Sequence, residues 1–174
     1  WSGSQAASGS QSVMPAATGR YTYTLTCNGS AGSASNGATL VVNADDPLLS
    51  SIASKLENVL YFGIEDRSHA SLELSGAADS KHCRRCGAPL EYEAVQLGHL
   101  GSYRCPNGDF ERPQPAVFAR EIVNHGMDGS EIVIATPSGD IRADLPIPGH
   151  YNVYNAVAAA AAAHALELAP GAIA

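Results

Sequence analysis

Residues 38–64 read ATLVVNADDPLLSSIASKLENVLYFGI, and the grammar of this stretch decides the fold class. An apolar run, Leu40 to Val42, ends on Asn43, Asp45 and Asp46. It does not alternate with polar residues, which is the pattern of a strand covered on both faces. Asp46 is placed to cap a helix whose first position is Pro47, a residue that lacks an N–H where none is needed. PLLSSIASKL supplies that helix, and NVLYFGI a second apolar strand. Strand, helix, strand predicts parallel pairing through a crossover, and so an α/β fold.

Downstream, AVFAREIVN, SEIVIATP and GDIRADLPI read as a run of strands, the last two joined through Ser138 and Gly139. A long helix is expected from about Asn152 to about Leu168. Upstream the composition changes. Residues 1–37 are rich in Gly, Ser, Ala and Thr and carry a single charge, Arg20. In RYTYTLTC, Tyr21, Tyr23, Leu25 and Cys27 alternate with Arg20 and threonines, as in a half-buried strand. With NGSAGSASNG as the connector and ATLVVNA as the second strand, this segment reads as an antiparallel hairpin.

The chain has 174 residues, 45% of them apolar, enough to bury a core. Ten basic residues against seventeen acidic ones give a net charge of −7, so a general affinity for nucleic acid or anionic membrane has no electrostatic basis. The longest apolar run, AVAAAAAAHALELA, is too short and too alanine-rich to be a transmembrane span. Trp1 opens the chain with no Met, basic region or apolar region after it, which reads as neither a signal peptide nor a natural start, and the expectation is a fragment or a chimera.

Residues 83–108 read CRRCGAPLEYEAVQLGHLGSYRCPNG. Cys83 and Cys86 have the spacing of a metal knuckle, in which one tight turn aims two sulfurs at the same ion and Gly87 relieves the turn. Cys105 opens a second knuckle whose closing position is Gly108, which has no ligand atom. His82, His99 and Asp109 are the candidate fourth donors, and a Cys at 108 would complete the set. Clustered thiols of this kind, with Cys27 standing apart, point to reduced cysteines, Zn²⁺ and the cytoplasm rather than a disulfide framework.

From residue 38 onward, GATLVVNADDPLL, the cysteine segment with its FERP continuation, and IPGHYNVYNAVAAAAAA together resemble the central domain of MurT, the Mur-ligase-type subunit of lipid II isoglutaminyl synthase. The resemblance implies a partial Mur-ligase central domain over residues 38–174. Its mixed sheet would be flanked by helices and interrupted at about residues 80–113 by a four-cysteine zinc ribbon, from which this chain departs at Gly108. It also implies ATP and Mg²⁺ as cofactors, lipid II as substrate and the glutaminase GatD as partner. Residues 1–42 resemble half of a bacterial immunoglobulin-like repeat, with 1–37 as its separate hairpin domain, so the whole reads as a chimera joined at a strand that the two families share.

Within GHYNVYNAVAA, Asn152 is placed to cap the helix, with Asn155 one turn on, and amides there suit an adenine edge or a ribose as well as a plain helix start. The resemblance assigns Asn152 and Asn155 to the nucleotide site. Asp45 and Asp46 lie at the carboxyl end of a buried strand, where open α/β sheets place ligands; helix capping accounts for them equally well. No residue pair has a recognisable catalytic spacing. His69, His125 and His164 have no partner at a diagnostic spacing, and EDRSH (65–69) reads as a solvated loop. Neither lysine, Lys55 or Lys81, belongs to the G-K-[ST] loop that a Mur-type ATPase needs to cradle phosphates, so the chain is expected to be inactive alone. Two rival readings are a surface immunoglobulin-like binding module and a free-standing zinc-ribbon interaction module.

Overall fold

The computed structural model describes residues 24–29, 32–37, 39–74 and 80–172. The chain divides into two units, Trp1–Ala38 and Thr39–Ala174. In the first, β1 (Thr24–Gly29) pairs antiparallel with β2 (Gly32–Gly37), from Thr24 opposite Gly37 to Gly29 opposite Gly32. The hairpin therefore differs from the expected one. Its second strand is the presumed connector, and residues 40–43 are committed elsewhere, to a parallel partner. Residues 20–23, and with them most of the immunoglobulin-like motifs, lie outside the described residues.

The second unit is built on a five-stranded mixed sheet in the order β3-β4-β7-β8-β9, formed by β3 (Leu40–Asn43), β4 (Val59–Ile64), β7 (Val117–Asn124), β8 (Ser130–Thr136) and β9 (Gly139–Leu145). The first three strands run parallel, and β8 and β9 are antiparallel additions. The helix between β3 and β4, α1 (Pro47–Ala53), starts as the sequence predicts. The Asp46 carboxylate accepts hydrogen bonds from the N–H groups of Leu48 (2.8 Å) and Leu49 (3.1 Å). It stops three residues short of Leu56, and the chain then re-enters the sheet through Asn58 at φ +55°.

The carboxyl-terminal helix, α2 (His150–Ala165), packs Val153, Tyr154, Val157, Ala160 and Ala161 into a core shared with Phe62, Ile64, Val117, Ala119, Ile122, Ile132, Ile134 and Ile141. Small alanines let the helix approach the sheet closely, and buried branched residues at Val153 and Val157 supply the apolar area. It begins two residues before Asn152. Gly149, at φ +108°, is its cap, a backbone angle open to glycine, and Asn152 instead reaches back to donate to the Pro148 carbonyl at 2.8 Å. It ends at Ala165, where Glu167 at φ +59° turns the chain, short of the expected Leu168.

Between β4 and β7 the chain leaves the sheet to form a separate antiparallel pair, β5 (Glu91–Leu97) and β6 (Leu100–Arg104), which carries the cysteines at its base. Among the described residues no helix is long and apolar enough to cross a membrane.

Candidate functional site: a cysteine cluster and the strand ends it touches

Two tight turns face each other at the base of the β5–β6 hairpin. In the first, the Cys83 N–H donates to Ala88 O (2.7 Å), the Gly87 N–H donates to Cys83 O (2.9 Å), and Gly87 sits at φ +77°. In the second, the Cys105 N–H donates to Phe110 O (2.6 Å), the Gly108 N–H donates to Cys105 O (3.0 Å), and Gly108 sits at φ +73°. The turns are out of step by one residue. In the first, the donor Cys86 precedes the left-handed glycine; in the second, the glycine occupies that place and Asp109 follows it.

The side-chain donor atoms of Cys83, Cys86, Cys105 and Asp109 all lie within 4.8 Å of one another. Cys86 Sγ is 3.4 Å from Cys105 Sγ, and Cys105 Sγ is 3.9 Å from Asp109 Oδ2. A tetrahedral ion with bonds of about 2.3 Å to sulfur places its donors about 3.8 Å apart, so these residues fit a zinc-type ion. His82 and His99 are not part of the group. His82 pairs by a backbone bridge with Pro89, and His99, at the hairpin tip, has its Nε2 3.7 Å from Asp46.

The cluster rests on a small apolar base of Leu90, Tyr103 and Phe110, with Cys83 and Cys105 buried in it and Cys86 exposed. Burial opposes ionisation of the Cys83 thiol, but N–H groups of Cys86 and Arg85 aimed at its sulfur bring its pKa below the ordinary value. The Asp109 carboxylate pushes the Cys86 thiol the other way, up to about 11. The Arg85 guanidinium, which donates to Asp109 O at 2.7 Å and lies 5.6 Å over the Phe110 ring, fixes the second turn from outside.

The hairpin is bonded to the sheet at the carboxyl end of β3. The Gly101 N–H donates to Asp45 O (2.9 Å), and the Tyr103 hydroxyl donates to Ala44 O (3.1 Å). Arg112, just past the second turn, reaches Asp45 Oδ1 and Glu65 Oε1, each at 2.6 Å, and Ile64 O at 3.3 Å. The other Asp45 oxygen accepts from the Ile64 N–H (3.0 Å) and from the Tyr154 hydroxyl of α2 (2.7 Å). Asp45 is 0% exposed. Burial raises its pKa, against the opposing pull of Arg112, Tyr154 and Ile64. Gly63 permits the network: a Cβ there would stand 2.6 Å from Asp45 Oδ1 and 2.8 Å from Arg112 Nη2.

Of the remaining predicted residues, Asp46 caps α1 and is partly buried, while Asn152 and Asn155 lie together on α2, with Asn155 Nδ2 3.4 Å from Asn152 Oδ1. Asn155 is exposed. The segment 65–69 is more than a solvated loop. Glu65 pairs with Arg112, and Asp66 accepts from the Ile122 N–H of β7 at 2.6 Å. His69 lies edge-on to His150, which in turn contacts Gln96 of β5 at 3.2 Å. Sequence reading missed Arg112, Glu65 and Tyr154, since nothing in their local pattern announces partners so distant along the chain.

No family model matches the chain. Among curated proteins, the MurT subunit of lipid II isoglutaminyl synthase (glutamine-hydrolyzing) from Staphylococcus aureus is 29% identical over 125 residues, 71% of this chain and 26% of that protein. The MurT subunit from Streptococcus pneumoniae is 30% identical over 131 residues, 74% of this chain and 28% of that protein. The chain thus spans about a quarter of the length of the curated relatives it matches. A solved structure of a pseudomurein peptide ligase type C from Methanothermus fervidus is 37% identical and superposes with a TM-score of 0.66, covering 78% of this chain and 26% of that one. Sequence likeness and fold agree that the α/β unit resembles part of MurT and of Mur-ligase-type domains.

Proposed function

We propose that the α/β unit serves an ATP-dependent amide ligase of the peptidoglycan type, as the part of a MurT-like subunit that contributes the adenosine side of the site and a Zn²⁺-bearing hairpin. The observation that carries this is MurT similarity over 131 residues in a chain that also folds as a Mur-ligase-type sheet. In the reaction so assigned, ATP with Mg²⁺ phosphorylates the α-carboxylate of the lipid II stem glutamate. Ammonia released by a GatD-like glutaminase then displaces phosphate from that acyl phosphate to leave the amide.

Asn152 and Asn155 would hold the adenosine through paired amide donors and acceptors, with Asp46 beside the strand end. Asp45, closed off by Arg112, Tyr154 and Ile64, would shape that end rather than touch nucleotide. Cys83, Cys86, Cys105 and Asp109 would hold Zn²⁺ in a structural role, and the bonds from Gly101, Tyr103 and Arg112 to the sheet favour an inserted hairpin over a free-standing module. Residues 1–37 would be an immunoglobulin-like half-repeat joined to this domain, and the α/β part would work in the cytoplasm.

With no G-K-[ST] loop to cradle phosphates, the chain alone binds nucleotide only near the millimolar range, about −4 kcal/mol, and does not turn it over. Calorimetric titration with ATP and a phosphate-release assay test this. Turnover that disappears in Asn155→Ala would show that this chain supplies a phosphate site of its own.

A further inference from the structure

We propose that metal occupancy at the cysteine cluster sets the order of the first turn of α2, with Arg112 as the positioning residue that carries the effect. The inference rests on reading Cys83, Cys86, Cys105 and Asp109 as a metal centre. The segment 105–112 is held at both ends. Cys105 and Asp109 belong to the donor group, and Phe110 is buried in the apolar base beneath it. Two residues on, the Arg112 N–H donates to Tyr103 O (2.9 Å), and its side chain, 9% exposed, enters the ion pair with Asp45 and Glu65.

From Asp45 the path is a single hydrogen bond to Tyr154, which lies between Asn152 and Asn155 on α2. A buried carboxylate that loses its cationic partner is strongly destabilised, so Asp45 and Tyr154 cannot keep their places indifferently when Arg112 moves. Without an ion nothing joins the donors of Cys105 and Asp109 to those of the first turn, the second turn loosens, and the anchor of Arg112 is weakened at its source. Coupling of this kind is reciprocal: whatever orders the first turn of α2 tightens the metal by the same factor.

Amide hydrogen exchange on the whole chain, with Zn²⁺ and after chelation, tests the proposal. Zn²⁺ is expected to slow exchange about tenfold or more in peptides covering 103–112 and also in those covering 150–155. In Tyr154→Phe, which keeps the ring and removes only the hydroxyl, the response at 103–112 should persist while that at 150–155 disappears. Arg112→Lys should give an intermediate response, and Arg112→Met none at α2. Protection confined to residues 80–113 in the unmodified chain, or a full α2 response in Tyr154→Phe, overturns the coupling while leaving the metal centre standing. Failure to hold Zn²⁺ against a competing chelator overturns both, and the two failures are thereby distinguished.

Discussion

The sheet buries Val117, Ile134 and Val157 almost completely, against one another and across the α2 interface, while the cysteine hairpin has only Leu90, Tyr103 and Phe110 beneath its sulfurs. The first region excludes enough apolar surface from water to order itself. The second is too small for that, and small modules of this size draw their stability from a bound ion or from a neighbour. Here both supports would converge on one segment, since the turn that presents Asp109 continues into Arg112. The difference teaches that a hairpin with the geometry of a metal site can be grafted onto a self-sufficient sheet through a few buried polar bonds and one apolar foothold, Leu100, in the larger core.

The comparison breaks most visibly under metal removal. Cys105→Ser should abolish high-affinity Zn²⁺ binding, a loss of several kcal/mol given the roughly 10–16 kcal/mol of structural zinc sites. It should unfold the hairpin while far-ultraviolet dichroism of the sheet largely persists. Ile134→Ala should do the reverse, costing roughly 3 kcal/mol of global stability with chelator-competition affinity for Zn²⁺ unchanged. Loss of both regions together in either variant would show one cooperative unit where two are described.

A smaller effect sharpens the reading of the second turn. Asp109→Cys should tighten Zn²⁺ by adding a fourth thiolate where a donor already points. Gly108→Cys, which the spacing alone recommends, meets a backbone at φ +73° and should lose about 1 kcal/mol to strain, offsetting any gain as a ligand. Parallel chelator titrations and melting curves with saturating Zn²⁺ rank the two. Gly108→Cys binding the more tightly would mean that the turn rearranges into the ordinary four-cysteine form.

The smallest effect concerns the other junction of the two regions, where His150 at the start of α2 meets Gln96 of β5. Burial, helped by neighbouring His69 and opposed by Asp66, holds its pKa below the usual 6.5. The unfolded chain therefore binds the proton first. The stability that neutral His150 contributes is complete above about pH 6.5 and is lost as pH falls through its lower folded value. Melting temperature between pH 7.5 and 5 should decline less in His150→Gln than in the parent; equal declines would place the titrating group elsewhere.

Much of the sheet was legible because its signals are local. Apolar runs mark β3, β4 and β8, and the Asp46–Pro47 start of α1 needs only its own first turn. The cysteines were legible through spacing, and Asp109 through adjacency. The N-terminal hairpin departs from its sequence pattern because GSASNG has turn composition and yet forms a strand, while the apolar segment after it pairs with β4. Asn152 has the residue type that favours a cap, whereas the backbone angle at Gly149 decides the start of α2. Arg112, Glu65 and Tyr154 lie beyond local reading altogether, since their meaning lies in contacts that only the completed topology creates.

That topology also imposes an order of events on the growing chain. Asp45 is separated from Arg112 by 67 positions and from Tyr154 by 109. Until both have been synthesised, its carboxylate has only the Ile64 N–H as a partner and no counter-charge that would let it leave water, so the carboxyl end of β3 stays hydrated while β4 is already available to pair. Drying of that edge is therefore a terminal step of folding, reached only after the cysteine turns have emerged and α2 has docked. A ribosome stalled before residue 154 would display a strand end open to solvent and to chaperones.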